Sequence, residues 1–138
     1  MPPKLTKNYR PSGKEPFMNA KQREYFRQRL LRWRGELLRD TSQTLQNLQE
    51  DSLQAPDIAD RASAETDRAV ELRTRDRERK LVQKIDEALN RIEDGEYGYC
   101  EESGEPIGLL RLEARPIATL SLEAQERHER LERIYRDE

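Results

Sequence analysis

Three places in this 138-residue chain hold residues whose type and spacing suit chemistry. Cys100-Glu101-Glu102-Ser103 has the spacing of a paired metal ligand, with serine in the second slot. Ser121-Leu122-Glu123-Ala124 repeats that spacing without any thiol. Structural zinc takes four ligands, mostly thiolate or imidazole. One thiol is present, and His128 is the only imidazole that could join it. Cys100 and His128 can at most begin a site, so the expectation is no zinc and no other cofactor. Catalysis by the same pair would need a group to orient the base and an oxyanion hole. Nothing in the sequence marks either, so the chain is not expected to be an enzyme.

The second place is Asp57-Ile58-Ala59-Asp60-Arg61-Ala62. Asp57 and Asp60 are three apart, on one face of a first helical turn, where the macrodipole favours anions. Spacing leaves two readings open. The acids are a helix cap with its dipole-compensating partner, or they project toward a basic or metal-bearing target. The third place is Arg77, Lys80 and Lys84, whose steps of three and four line up three cations on one helical face. Such a face can hold a polyphosphate through charge-assisted hydrogen bonds, or it can simply be solvated.

The elements that position these residues follow from periodicity. Residues 1–18 hold four of the seven prolines and read as an irregular arm. Asn19 then stands at an N-cap position, with Gln22 at capping-box spacing. Phe26, Leu30, Trp33, Leu37, Thr41, Leu45 and Leu48 recur at steps of three and four, which predicts a helix from about 19 to 50. At the α-helical rise it would be roughly 48 Å long. Residues 51–56 form a break, because Pro56 disfavours helix at Ala55. A second helix is predicted over 57–94, roughly 57 Å long, with Ala62, Ala69, Leu72, Arg79, Val82, Ile85, Leu89 and Ile92 inward. Gly95 suits the left-handed position that ends it. Two long helices with a short connection fold back antiparallel. The tip of this hairpin lies near 51–62. Residues 95–120 are rich in turns and read as a small subdomain. Ser121 caps a last helix over 122–136, with Leu131, Ile134 and Tyr135 on one side. The expected fold is all-α in bulk: a long antiparallel coiled-coil hairpin, a small globular end and a C-terminal helix.

Composition bounds the rest. The chain is 39% charged and 33% hydrophobic, too polar for a large core, which favours long helices burying a narrow stripe. Net charge is -2, which argues against a nucleic-acid polycation, but residues 1–35 hold ten bases against two acids. Such striping steers encounters with complementary partners. A single cysteine excludes an intrachain disulfide, and no apolar run approaches a membrane span. No secretory signal is evident, so the cytoplasm is the expected location.

Taken in order, four stretches resemble the DksA/TraR family. They are the tip Asp57-x-x-Asp60-Arg61-Ala62, LRTRDRERKLVQKI at 72–85, GEYGYCEESGEPIG at 95–108, and RLEARPIATL at 111–120. The resemblance runs from about Phe17 onward and is strongest to the type carrying both hairpin helices. It implies a monomeric bacterial regulator with no direct sequence-specific DNA binding. Its coiled coil would enter the secondary channel of RNA polymerase and destabilise promoter open complexes, with the alarmone ppGpp bound at the interface. It implies repression of ribosomal RNA promoters and activation of some biosynthetic ones. Asp57, Asp60 and Ala62 match the family's tip, and Arg77, Lys80 and Lys84 its ppGpp-contacting positions. The departure is in the zinc ribbon. Of the four cysteine positions only Cys100 matches, and Ser103, Ser121 and Ala124 fill the others. The resemblance thus implies a ribbon held by packing, with Tyr97, Tyr99, Ile107, Leu109, Leu112 and Ile117 against Phe17, Tyr25, Phe26 and the last helix. Two other classes stay open from the sequence: a coiled-coil scaffold, and a Gre-type transcript-cleavage factor using tip acids on magnesium.

Overall fold

The computed structural model describes residues 2–54 and 58–137, and their side chains except at 44, 48–54, 58–61 and 137. Among the described residues four helices follow in order: α1 (Ala20–Gln54), α2 (Ile58–Asp94), α3 (Leu109–Ala114) and α4 (Leu122–Asp137). Among the described residues the only β pairing is an isolated antiparallel bridge between Tyr99 and Pro106. The chain is therefore helical in bulk. It divides into two compact units: Leu31–Asp86, and a second formed by Met1–Leu30 with Glu87–Glu138.

The ends of the long helices show why they form where they do. Asn19 Oδ1 accepts the Gln22 N–H at 2.9 Å, which satisfies one orphan donor of α1. A capping box would return the Gln22 side chain to the Asn19 N–H. That N–H already donates to the Pro16 carbonyl at 3.2 Å. Gln22 Oε1 instead accepts the Met18 N–H at 2.8 Å, and its amide donates to the Ser12 carbonyl at 3.3 Å. The fully buried Gln22 thus ties the arm to α1. At the far end α1 continues to Gln54, four residues beyond the expected stop. Proline restricts only the residue before it, so Pro56 leaves residues 51–54 free to be helical. α2 closes on a Schellman motif: Gly95 has φ 78, its N–H meets the Ile92 carbonyl, and the Glu96 N–H meets the Arg91 carbonyl.

Within Leu31–Asp86, Arg34 pairs with Asp86 at 2.7 Å, and the Thr41 hydroxyl donates to Glu78 at 2.9 Å. Advancing along α1 means retreating along α2, so the pairing is antiparallel. Leu37 and Ile85 are buried, while Trp33, Thr41, Leu45 and Val82 are half-buried. The expected inward face of α2 needs correction upstream of Val82. Ala62, Ala69, Leu72 and Arg79 are exposed, and the half-buried positions are Ala64, Arg68, Glu71, Thr74, Arg75, Glu78 and Leu81. Long polar side chains can turn aliphatic stems inward, but here part of the polar ends goes in too, since Arg68 Nε and Glu71 Oε2 are buried. This stretch has too little apolar contrast for periodicity to mark its inner face.

The second unit carries most of the core. Phe26, Leu30 and Leu112 are fully buried, with Tyr97, Ile107, Ile117 and Ala118 close behind. Phe26 packs on Tyr97 at 5.7 Å between ring centroids, and Phe17 meets Tyr99 edge-on at 5.5 Å. The buried Tyr97 hydroxyl donates to the Pro116 carbonyl at 2.7 Å. Arg29 and the Tyr25 hydroxyl both reach Glu113, at 2.8 and 3.1 Å. The expected contribution of the last helix shrinks to Ala124. Leu131, Ile134 and Tyr135 are 51%, 57% and 72% exposed, so that stripe is not part of this core.

Candidate functional site

The tip motif falls where the structure says least. Asp57 lies outside the described residues, as does the side chain of Asp60, whose backbone belongs to α2. Ala62 is exposed on α2. Further along that helix, Arg77, Lys80 and Lys84 are all exposed, and none makes an ion pair with another described residue. Neighbouring Arg79 differs, with its charge directed to Asp76 at 3.7 Å. Three unpaired cations at helical spacing form a surface that can receive a polyanion without first breaking internal bonds.

Three of the four ribbon positions are buried, and the fourth, Ser103, is exposed. Cys100 is 3% exposed, Ser121 6% and Ala124 fully buried. Burial opposes ionisation of the Cys100 thiol. Hydrogen bonds from the Ser103 hydroxyl and from the backbone N–H groups of Ser121, Ser103 and Glu102 outweigh it and bring the thiol pKa down to about 6. Ser121 Oγ caps α4 by accepting the Ala124 N–H at 3.3 Å. The Glu101 N–H donates to the Thr119 carbonyl at 2.9 Å, and the Cys100 N–H to the Glu105 carbonyl at 2.8 Å. His128 pairs with Glu102, and Arg127 lies 4.0 Å from the same carboxylate.

Two residues of this cluster went unremarked in the sequence. Arg91 donates to the Glu96 carbonyl at 3.2 Å, the Tyr99 carbonyl at 2.7 Å and the Glu101 carboxylate at 2.5 Å. One signal pointed to it: Arg91 is the sole base among eight acids in residues 85–105. Glu102 lies between the two positions of the first pair, where spacing gives it no role of its own. Its link to His128 explains why that imidazole is engaged away from the thiol.

A structural zinc site requires four soft donors at fixed distance. The four ribbon positions supply one thiol, two hydroxyls and a methyl group. Among the described residues no group of three or more His, Cys, Asp or Glu could hold a metal ion. The donor set does not fit zinc.

Comparison with known proteins follows the same division. Residues 22–92 match the family model described as the DnaK suppressor protein DksA, N-terminal domain. Residues 95–130 match the prokaryotic dksA/traR C4-type zinc finger. The chain is 66% identical to the RNA polymerase-binding transcription factor DksA of Caulobacter vibrioides, over 95% of this chain and 92% of that protein. It is 42% identical to the protein of the same description from Escherichia coli K12, over 85% of this chain and 78% of the relative. The solved structure of transcription factor DksA2 from Pseudomonas aeruginosa superposes with a TM-score of 0.80 at 46% identity, covering 87% of this chain and 95% of that one. With both family models matched in order and identity this high over nearly its whole length, the chain belongs to the DksA/TraR family.

Proposed function

We propose that this chain is a non-enzymatic, cytoplasmic regulator of transcription that binds RNA polymerase as a monomer. The observation that carries this reading is the 66% identity, over 95% of the chain, to a relative described as RNA polymerase-binding. In this reading the arm (1–18), hairpin (19–94), ribbon (95–120) and last helix (121–138) have separate tasks. The hairpin enters the secondary channel, and Asp57, Asp60 and Ala62 at its tip destabilise promoter open complexes. Arg77, Lys80 and Lys84 bind ppGpp at the polymerase interface. Their exposure and freedom from ion pairs within the described residues support this role. Ribosomal RNA promoters are repressed and some biosynthetic promoters activated, without sequence-specific contact to DNA.

The test is binding to core polymerase with competition by a Gre-type factor, followed by transcription from a ribosomal RNA promoter with and without ppGpp. Competitive binding and ppGpp-enhanced repression are expected. No binding at micromolar protein would sink the proposal. Asp57→Asn and Asp60→Asn should leave binding intact and abolish repression. An unchanged promoter effect would reduce these acids to helix caps.

A further inference from the structure

We infer that the ribbon of this chain is a metal-independent fold, in which the Cys100 sulfur and the Arg91 guanidinium do the cross-linking that an ion does in a C4 finger. In such a finger the metal ties one pair of ligands to the other. Here the pairs would be positions 100 and 103, and 121 and 124. The geometric link from the first pair toward the second is the Glu101 N–H, which donates to the Thr119 carbonyl at 2.9 Å. Beside it the Cys100 sulfur accepts from the Ser103 hydroxyl and the Glu102 and Ser103 N–H groups inside its own pair, and from the Ser121 N–H across it. Glu102 carries the first pair on to α4 through His128 and Arg127. Position 124, where a fourth ligand would stand, holds a fully buried methyl group, and its N–H donates to Ser121 Oγ at 3.3 Å.

Arg91 fixes the same loop to the end of α2. Its side chain is only 14% exposed, and it makes three donations to Glu96, Tyr99 and Glu101. Its own carbonyl accepts the N–H groups of Glu96 and Tyr97. One residue therefore serves both as helix terminator and as clamp on the Cys100 loop. Lysine could supply the charge but not the planar fork that reaches two carbonyls and a carboxylate together.

The experiment reads folding of the full chain, so its outcome does not depend on polymerase binding. Protein produced in zinc-supplemented medium is assayed for metal by mass spectrometry and melted with and without EDTA. Substoichiometric zinc and an unchanged Tm are expected. Arg91→Gln should lower the Tm by about 5 °C or more, since hydrogen bonds from a mostly buried charged group are lost. If that variant does not fold, Glu101→Gln removes only the ion pair and should give a smaller drop. Cys100→Ser keeps an acceptor and should cost less than Cys100→Ala. The triple change Ser103→Cys, Ser121→Cys, Ala124→Cys should bind one zinc and make the Tm sensitive to EDTA, because it supplies four thiolates at the ribbon positions. One zinc per unmodified chain, an EDTA-dependent Tm, equal losses for both Cys100 variants, or an Arg91→Gln variant with the parental Tm would overturn the inference.

Discussion

Cys100 shows how one side chain can matter through its hydrogen bonds alone. Its thiol is brought to about 6 from an ordinary 9.0 by four donors, against the opposing effect of burial. Between those values the unfolded chain binds a proton that the folded chain does not. Stability should therefore rise with pH across this window and fall as pH drops through about 6. Tyr9, raised to about 12 by burial and by Glu15, titrates above it, and so does Tyr97, raised by burial. The urea midpoint should climb from pH 6 to 9 in the parent and stay flatter in Cys100→Ser. A parent as flat as the variant would mean the donors do not hold a thiolate. The count of ligands was legible in the sequence, because it needs only residue types. The donors around the sulfur were not, because three of them are backbone groups that any residue carries. Gln22 is a similar case. Its spacing marked a cap, while its reach to Ser12 depends on how the arm folds.

Helix boundaries were legible where a residue has a specific backbone task. Asn19 and Gly95 each mark a helix end to within a residue, through a cap and a positive φ. The inner face of α2 was not, since between 62 and 79 a mix of small and charged residues gives no contrast. What lies there is a polar interface, with Thr41 on Glu78 and half-buried Arg68, Glu71 and Arg75. Replacing both partners of a hydrogen bond by apolar groups is commonly neutral or stabilising. Thr41→Val with Glu78→Leu should thus raise unfolding stability by about 1 kcal/mol, from the added apolar burial. Denaturant midpoints of the double variant and of Glu78→Leu alone would check it. A less stable double variant would show that this bond specifies the pairing. Gly98 makes the opposite case in the ribbon. It sits at φ 91, and a Cβ there would stand 2.8 Å from Met18 Cγ and 3.3 Å from Phe17 Cζ. Gly98→Ala should cost about 2 kcal/mol or more, combining left-handed strain with overpacking. Thermal melts would show it, and a parental Tm would mean the arm yields without loss.

The distribution of buried side chains across the molecule is uneven, and that has a dynamic consequence. The unit built from the arm, the start of α1 and residues after Glu87 holds a connected aromatic and aliphatic core. In the unit Leu31–Asp86, Leu37 and Ile85 are the buried side chains among those described, and α2 has none buried from Ala62 to Lys84. Isolated helical turns are marginal in water, so helix that buries little is held weakly and opens locally. Amide hydrogen exchange should therefore grade along α2, fast over 62–74 and slow over 85–92. A hairpin with this gradient can adjust its less supported end while the core stays folded. The charge pattern is set by the same pairing: residues 36–67 carry eight acids against two bases, and 68–84 seven bases against three acids, so the register of 34 with 86 and 41 with 78 starts the acidic stretch beside the basic one. If the proposed insertion into polymerase is right, exchange over 62–74 should slow several-fold in the complex, while 85–92 changes little. Uniform exchange along free α2 would refute the gradient. A gradient that binding leaves untouched would instead place the contact elsewhere on the chain.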